Sequence, residues 1–260
     1  MNELRVACGQ FEARLGDTDY NLGQMTTQAT QASGAGCQVI VFAELSVSGY
    51  LQASRVPEVA EPIDGDAVGR LAECARELGT AIAFGMAERD GDRLHNALAV
   101  LSKSGELVGH YRKTHLFGAE VDWATPGGEV ASFSMDGVAA TGWICFDTRF
   151  PELARAAAVS GAELAMVPTA WLGPPAEWEL AVRSRAMDNT MFVAGADQIC
   201  HLEGLRCRGN SLIAGPHGDV LAQAEADTPG VIWADLDPQE LTEQRDRLDL
   251  LANRRADLFD

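Results

Sequence analysis

Short apolar runs alternate along the chain with stretches whose apolar residues recur at helical spacing. In the first such stretch, Leu22, Met25, Ala29 and Ala32 repeat every three or four residues, so the pattern predicts a helix over 18–33. The runs between helices are nearly continuous in apolar residues, which is typical of strands covered on both faces. In the first half these runs are LRVACGQF, CQVIVFAE and TAIAFGMAE, with a second helix at about 66–78 and a hairpin over 95–113.

The second half repeats this alternation. MDGVAATGWIC predicts a strand over 135–145, and the next helix has Pro151 in its first turn and Gly161 just past its end. No low-complexity tract or linker interrupts the pattern, so we expect a single α/β domain spanning residues 1–260. The remaining predicted elements are strands at 162–168, 191–197 and 230–236, helices at about 178–189 and 238–251, and a hairpin over 210–224.

The charge balance narrows the range of possible partners. The chain has 20 lysines and arginines against 38 aspartates and glutamates, a formal net charge of −18. An acidic surface repels phosphate backbones and anionic lipids, so neither nucleic acid nor a membrane is an expected partner. No window approaches the roughly 20 apolar residues of a membrane-spanning helix. The start, MNELRVACGQF, does not resemble a secretory signal.

Six cysteines are scattered through the chain, mostly within apolar segments. In a chain of 260 residues without a secretory signal, this distribution favours reduced thiols over a disulfide framework. We therefore expect a cytoplasmic protein. The segment CHLEGLRC, residues 200–207, is spaced too loosely for a metal site, and no Cys or His pairs have zinc spacing.

Cys145 stands where an apolar run ends and a proline-marked polar stretch begins, in GWICFDTRFPE. A thiol at a strand-to-helix junction lies near backbone N–H groups without helical partners, whose positive end lowers a thiol pKa towards neutrality. Such a position suits a nucleophile. The alternative is a buried structural cysteine, the usual state of a free cysteine. Cys8, Cys37 and Cys74 lie inside predicted elements and are interpreted as structural.

Two further residues have side chains suited to catalysis. Glu44 ends an apolar strand, at the edge where open α/β sheets carry their sites, and burial there raises a carboxyl pKa and suits it to act as a general base. Lys113 is a basic residue on an acidic protein, and a fixed ammonium stabilises an oxyanion in acyl transfer. The alternatives are an exposed loop glutamate and a solvated hairpin end.

Other catalytic motifs are missing from the sequence. There is no G-x-S-x-G turn and no Walker loop. GAGCQV lacks the third glycine of a dinucleotide fingerprint and precedes its strand instead of following it. These absences disfavour a serine hydrolase and a nucleotide-dependent enzyme.

Three segments, taken together and in this order, closely resemble the signatures of the nitrilase superfamily of carbon–nitrogen hydrolases: Glu44 in FAELSVSGY, Lys113 in YRKTHLF and Cys145 in ICFDTRFPE. GAEVDWATPGG is similar to the segment that carries the family's second glutamate, here Glu120. RGNSLIAGPHGDVLA and NRRADLF resemble the family's last hairpin and its tail. The resemblance runs essentially from end to end and makes Cys145 the expected nucleophile.

The resemblance implies a fold and a mechanism. The fold is the four-layer α-β-β-α sandwich of the nitrilase type, assembled as a homodimer or a larger even-numbered homo-oligomer. The reaction is hydrolysis of a non-peptide C–N bond through a thioester, with Glu44 as general base and Cys145 as nucleophile. Lys113 and the backbone N–H of Phe146 are the expected oxyanion donors, and Glu120 is expected to position Lys113 and the substrate. No metal and no organic cofactor is implied.

The compact chain and CFDTRFPE look most like the small aliphatic or omega-amidase branch. The expected substrate is therefore a small primary amide, hydrolysed to a carboxylic acid and ammonia. A nitrilase and an N-carbamoyl amino acid hydrolase are alternatives within the family. A catalytically silent homologue that serves as a binding partner or scaffold is the alternative from a different class.

Tyr50, Arg149 and Trp171 are the candidate substrate-binding residues. Arg149 suits a substrate carboxylate, because a guanidinium binds a carboxylate with two parallel hydrogen bonds. Its alternative role is a structural ion pair with Asp147 or Glu152. Trp171 either lines the pocket or belongs to the apolar core.

Overall fold

Two six-stranded β-sheets form the centre of the fold. The computed structural model of the chain describes residues 3–50, 53–202 and 205–258. The apolar runs form the inner strands of both sheets, because a strand buried on both faces needs apolar side chains at nearly every position. The strands are β1 (Leu4–Gln10), β2 (Val39–Val41), β3 (Ala81–Asp90), β4 (Arg93–Leu101), β5 (Leu107–Arg112), β6 (Phe133–Met135), β7 (Val138–Gly142), β8 (Leu164–Thr169), β9 (Phe192–Asp197), β10 (Ile199–Leu202), β11 (Leu205–Arg208), β12 (Leu212–Ala214), β13 (Val220–Gln223) and β14 (Gly230–Leu236).

Each sheet has parallel strands at its centre and antiparallel strands at its edges. The first sheet has the order β14-β1-β2-β3-β4-β5, and the second has the order β13-β12-β9-β8-β7-β6. β1, β2 and β3 run parallel, as do β7, β8 and β9. The carboxyl ends of the parallel strands therefore meet at one edge of each sheet, which is where α/β folds form their sites.

Helices cover the outer faces of the sheets. The side chains that predict the first helix, Leu22, Met25, Ala29 and Ala32, are all buried. In the ranges that the structure describes, no helix is long and apolar enough to cross a membrane. The helices are α1 (Thr18–Gly34), α2 (Val56–Val59), α3 (Asp66–Leu78), α4 (Pro151–Val159), α5 (Pro175–Asn189) and α6 (Pro238–Leu248).

Alternate residues of each inner strand face different layers, because successive strand side chains point to opposite faces. In β2, Val39 and Val41 pack in a cluster shared with Met166 and Val193 of the second sheet. Ile40 packs on the other face, in a cluster with residues of α1 and α3. The layers therefore follow the expected order of helix, sheet, sheet and helix.

Two local predictions are wrong. The strand predicted over 135–145 is shortened to β7, because Asp136 and Gly137 have φ angles of 49° and 84° and reverse the chain between β7 and β6, to which Met135 belongs. Cys200 and Cys207 form a disulfide between directly opposed residues of β10 and β11, so the expectation that all six cysteines are reduced is also wrong. The two cysteines are seven residues apart in the chain, and they meet because the register of the β10–β11 hairpin places them opposite each other.

Candidate active site

Three predicted side chains meet in one buried cluster. Glu44 follows β2, Lys113 follows β5, and Glu120 lies in the 3₁₀ turn Gly118–Asp122. Lys113 Nζ lies 2.6 Å from Glu44 Oε1 and 2.9 Å from Glu120 Oε1. No side chain of the three is more than 2% exposed, so one ammonium lies between two carboxylates away from water. The interpretations as an exposed loop glutamate and a solvated lysine are therefore wrong.

Gly85 of β3 allows the Glu44 segment to lie close against the sheet. A methyl group on Gly85 would lie 2.5 Å from the backbone nitrogen of Leu45 and 2.6 Å from the Cα of Glu44. Gly85 N also donates to Ala43 O at 3.1 Å. Any side chain at this position would therefore displace the carboxylate from the cluster.

Asn96 of β4 belongs to the cluster although no sequence motif indicated it. Its Nδ2 donates to Glu44 Oε1 at 2.7 Å and to Glu120 Oε1 at 3.0 Å, and the residue is 1% exposed. Tyr50, predicted as a substrate contact, donates its hydroxyl to Glu120 Oε1 at 3.2 Å. The only sequence signal for Asn96 is a polar residue within the apolar segment HNALAVLS. Its role depends on the packing of β4 beside the Glu44 turn.

Cys145 begins the 3₁₀ turn Cys145–Arg149, between β7 and α4. Its φ of 46° lies in the left-handed region, which costs a residue other than glycine roughly 1–3 kcal/mol and is found preferentially at functional sites. Cys145 Sγ donates to Ala170 O at 3.6 Å, and Ala170 N donates to Glu44 Oε2 at 2.9 Å. The candidate nucleophile and the candidate base therefore contact the same residue.

The pKa of the Cys145 thiol differs from the value that its place in the sequence predicts. Burial and the Glu44 carboxylate raise the pKa of Cys145 well above its usual value, although Lys113 lowers it in part. The expectation of a thiol pKa near neutrality is wrong, because Cys145 is buried and α4 begins only at Pro151. The resting thiol is therefore neutral and needs a base to become a nucleophile.

The carboxyl group of Glu44 is tuned to serve as such a base. Burial raises the pKa of Glu44 to about 7, and Lys113 limits the rise. Burial lowers the pKa of Lys113, but the Glu44 and Glu120 carboxylates and Cys145 outweigh that effect and raise it well above its usual value. The cluster therefore holds a permanent cation beside a carboxyl group that exchanges protons near neutral pH.

A cavity of about 160 Å³ has Cys145 in its wall. Trp171, a predicted substrate contact, lies in this wall, on the loop before α5. The Arg149 guanidinium lies 4.5 Å from the centre of the Trp171 ring and 2.6 Å from Glu177 Oε2, so its ion pair is with Glu177 and not with Asp147 or Glu152. The cavity is lined by Phe117, Cys145, Phe146, Arg149, Ala170, Trp171, Leu172 and Gly173.

Two buried carboxyl groups near the site were not assigned to it from the sequence. Asp197 accepts a hydrogen bond from the backbone N–H of Trp171 at 2.8 Å, and burial raises its pKa well above the usual value. Asp197 ends the apolar run MFVAGAD just as Glu44 ends CQVIVFAE, so the signal that indicates Glu44 also indicates Asp197. Asp147 accepts a hydrogen bond from Tyr111 Oη at 2.8 Å.

The sequence profile of the carbon–nitrogen hydrolase family matches residues 5–246. The chain belongs to the carbon–nitrogen hydrolase family. It is 36% identical to the Pseudomonas protegens protein named hydrolase in the pqqF 5' region, over 99% of this chain and 91% of that one. It is 32% identical to the omega-amidase NIT2 of Danio rerio, over 100% of this chain and 97% of the relative. The expected membership of the nitrilase superfamily is confirmed.

Solved structures of relatives share the fold. The amidase from Nesterenkonia sp. superposes with a TM-score of 0.88 at 30% identity, covering 98% of this chain and 94% of that one. One variant of that amidase carries the acetamide moiety of fluoroacetamide on its active-site cysteine, and another was solved in complex with butyramide. The nitrilase-type α-β-β-α fold is thus confirmed, and this carbon–nitrogen hydrolase is an enzyme that acts on C–N bonds.

Proposed function

We propose that this hydrolase converts small primary amides to carboxylic acids and ammonia through a thioester on Cys145. The observation that carries the proposal is the pair of hydrogen bonds at Ala170, which joins Cys145 to Glu44 at the wall of the cavity. The acetamide adduct on the cysteine of the Nesterenkonia amidase supports the same chemistry.

In the first half of the reaction, the Glu44 carboxylate takes the proton of the Cys145 thiol, and the sulfur attacks the amide carbonyl carbon. Negative charge develops on the carbonyl oxygen, where Lys113 Nζ and the N–H of Phe146 supply donors. The C–N bond then breaks, and protonated Glu44 transfers its proton to the nitrogen, which leaves as ammonia. A thioester between the acyl group and Cys145 remains.

In the second half, Glu44 takes a proton from water, and the oxygen attacks the thioester carbon. The C–S bond breaks, the carboxylic acid leaves, and Cys145 regains its proton from Glu44. One carboxyl group therefore alternates between base and acid, as its pKa of about 7 allows. Glu120 holds the ammonium of Lys113 in place at 2.9 Å throughout.

The dimensions and lining of the cavity favour a short aliphatic acyl group. A protein cavity of about 150 Å³ accommodates a benzene molecule, and this cavity measures about 160 Å³. Phe117, Phe146, Trp171 and Leu172 supply apolar walls. We therefore propose acyl chains of a few carbons, which fill the cavity without burying a charge.

A second candidate substrate is the monoamide of a small dicarboxylic acid. Arg149 lies in the cavity wall, and its partner Glu177 is half exposed, so a substrate carboxylate could take the place of Glu177 on the guanidinium. The relative named omega-amidase supports this candidate. The ion pair that Arg149 already forms favours the neutral amides.

Ammonia release from a panel of amides tests both candidates. The panel contains acetamide to hexanamide, the monoamides of succinate and glutarate, the matched nitriles and N-carbamoyl amino acids, with Cys145→Ala as the inactive control. Release from the neutral amides, with Arg149→Gln changing kcat/KM less than threefold, supports the first candidate. Preference for the dicarboxylate monoamides, lost selectively in Arg149→Gln, supports the second. Release from nitriles or carbamoyl compounds alone contradicts both.

We also propose that two copies of the chain associate through the layer of α4 and α5. Val159, Leu180 and Met187 of these helices are 51%, 66% and 47% exposed, and a second copy would remove them from water. Light scattering after size exclusion tests this. Leu180→Glu is expected to yield monomers, whereas Leu107→Glu, at a residue 44% exposed on β5, is the matched control and leaves the assembly intact.

A cytoplasmic location is the third part of the proposal. A reducing compartment keeps the Cys145 thiol available for catalysis, and it would open the Cys200–Cys207 bond as well. Alkylation of intact cells with N-ethylmaleimide before lysis, followed by mass spectrometry, checks this. Modified Cys200 and Cys207 support the cytoplasm, and an unmodified disulfide contradicts it.

A further inference from the structure

We propose that Asp147 is a positioning residue that fixes the turn bearing Cys145 against the strand end bearing Lys113. The inference rests on the proposed function, because it concerns the geometry of the same reaction. Asp147 is 1% exposed and lies two residues after Cys145 in the 3₁₀ turn. Among the described residues it is not one that lines the cavity, so it acts through its neighbours.

The Asp147 carboxylate accepts hydrogen bonds from two separate segments. Oδ1 accepts from Thr114 Oγ1 at 2.9 Å, from His115 N at 2.9 Å and from His115 Nδ1 at 2.8 Å. Oδ2 accepts from Tyr111 Oη at 2.8 Å and from Ile144 N at 3.1 Å. These five donors exceed the roughly four lone-pair sites of a carboxylate, so the three donors at Oδ1 share its two sites and no accepting capacity remains.

The donors flank the two residues whose relative position matters most. Tyr111 and Thr114 lie on either side of Lys113, and Ile144 directly precedes Cys145. Asp147 therefore spans from the segment that carries the ammonium to the turn that carries the thiol.

The backbone of Cys145 needs such support. Its φ of 46° is disfavoured for a residue with a side chain and persists only where the surroundings impose it. The bond from Ile144 N to Asp147 Oδ2 closes the turn around Cys145. Burial and the nearby Asp147 raise the pKa of Tyr111, so its hydroxyl remains a neutral donor to this carboxylate.

Asp147→Asn is the first test, because the amide keeps the size of the side chain but places an NH₂ group against donors. The readout is the second-order rate constant for alkylation of Cys145 by iodoacetamide at fixed pH, measured by mass spectrometry below the melting transition. We expect a loss of about tenfold or more, because a misplaced thiol loses both its base and its cation. With an amide substrate, kcat falls by a similar factor while KM changes less than threefold. Tyr111→Phe removes a single donor and gives a smaller loss.

Glu88→Gln is the matched control. Glu88 is also a buried carboxylate in contact with β5, 2% exposed, and it accepts hydrogen bonds from Arg112 and His110. We expect this variant to lose stability but to keep the wild-type alkylation rate. A loss of thiol reactivity in Asp147→Asn and not in Glu88→Gln separates positioning from general destabilisation.

Wild-type alkylation of Cys145 in folded Asp147→Asn would overturn the inference. If that variant does not fold, Tyr111→Phe combined with Thr114→Val decides, since it removes two donors and leaves the carboxylate. A folded double variant with an unchanged alkylation rate overturns the inference, and a slowed rate supports it. Failure of the proposed function has a different signature: the wild-type thiol alkylates but no amide is hydrolysed, and the alkylation comparison still tests Asp147.

Discussion

Replacing Asn96 by Asp tests whether the buried cluster sets the proton affinity of Glu44. The Asn96 amide donates to Glu44 Oε1 at 2.7 Å and to Glu120 Oε1 at 3.0 Å, and the residue is 1% exposed. The substitution is nearly isosteric. It removes the donor that both carboxylates share and places a third carboxyl group beside the single ammonium of Lys113.

The size of the effect follows from the distances. Two unit charges about 4 Å apart repel by roughly 4 kcal/mol at an effective dielectric constant of about 20, which corresponds to about three pKa units. Because three carboxyl groups share this repulsion and one of them takes up a proton, we expect the pKa of Glu44 to rise by about 1.5–2 units from its value of about 7.

The sign of the pH effect is then fixed. The active form of Glu44 is the carboxylate, so a raised pKa removes activity at low pH and restores it at high pH. At pH 7.5 a carboxyl group with a pKa of about 7 is about three-quarters ionised, and a rise of 1.5–2 units leaves about 3–10%. We therefore expect kcat/KM of Asn96→Asp to fall about 8- to 25-fold at pH 7.5 and to recover near pH 10.

The assay is the pH profile of kcat/KM for the best amide of the panel, from pH 5.5 to 10. Asn96→Leu is the companion variant, because it removes the same donor without adding charge, and its midpoint should rise less. A profile of Asn96→Asp whose midpoint lies within about 0.3 units of the wild type would refute the reasoning. The contacts of Asn96 with Glu44 and Glu120 would then not control the base.

Three further predictions follow from the structure. For the wild type, kcat/KM should rise with pH around a midpoint near 7, because the pKa of Glu44 is raised to about 7. Glu44→Gln should lower kcat by about 10²–10⁴ and abolish this rise with pH. A flat wild-type profile from pH 5.5 to 8.5 would contradict the assignment of Glu44 as the base. Gly85→Ala should lower kcat more than tenfold and destabilise the protein by about 1–3 kcal/mol in urea unfolding, since the methyl group would lie 2.6 Å from the Cα of Glu44. Gly69→Ala on α3, where the methyl group would have no atom within 4 Å, is the control and should stabilise the protein slightly. Equal effects of the two substitutions would show that the close approach of Gly85 to the Glu44 segment is not needed. Replacing Cys200 and Cys207 together by Ser should lower the free energy of unfolding by about 2 kcal/mol through loop entropy, because the bond links residues seven apart. Reduction of the wild type should cause a loss of the same size, since it opens the same loop. Equal stability of the oxidised wild type and the double variant would contradict the entropic account.

Most elements of the fold could be predicted from local patterns. The apolar runs that become β1, β3, β8 and β9 are nearly continuous because these strands are buried between layers. The pattern predicts one strand over 135–145 instead of the β6–β7 turn, although Asp136 and Gly137 form a common turn dipeptide, because apolar residues lie on both sides of that dipeptide. The error shows that a turn of two residues is easily lost within an apolar segment.

The candidate site was predicted in part. Glu44, Lys113, Glu120 and Cys145 stand in short segments that resemble family signatures, and the structure brings the first three within hydrogen-bonding distance, with Cys145 joined to Glu44 through Ala170. The sequence does not indicate the partners that orient them. Asn96 is a polar residue within the apolar segment HNALAVLS, and Asp147 lies inside the segment that carries Cys145, but the contacts of both depend on how distant segments pack.

The sequence by itself determined which segments become strands and helices, and which reactive side chains end them, because burial patterns and chain order are local properties. Only the tertiary structure decided how those groups titrate and pair. The raised pKa of Cys145 contradicts the value expected from its turn, because desolvation and the charge of Glu44 come from the whole packed core. The Cys200–Cys207 bond likewise depends on strand register, a relation between segments that neither cysteine encodes alone.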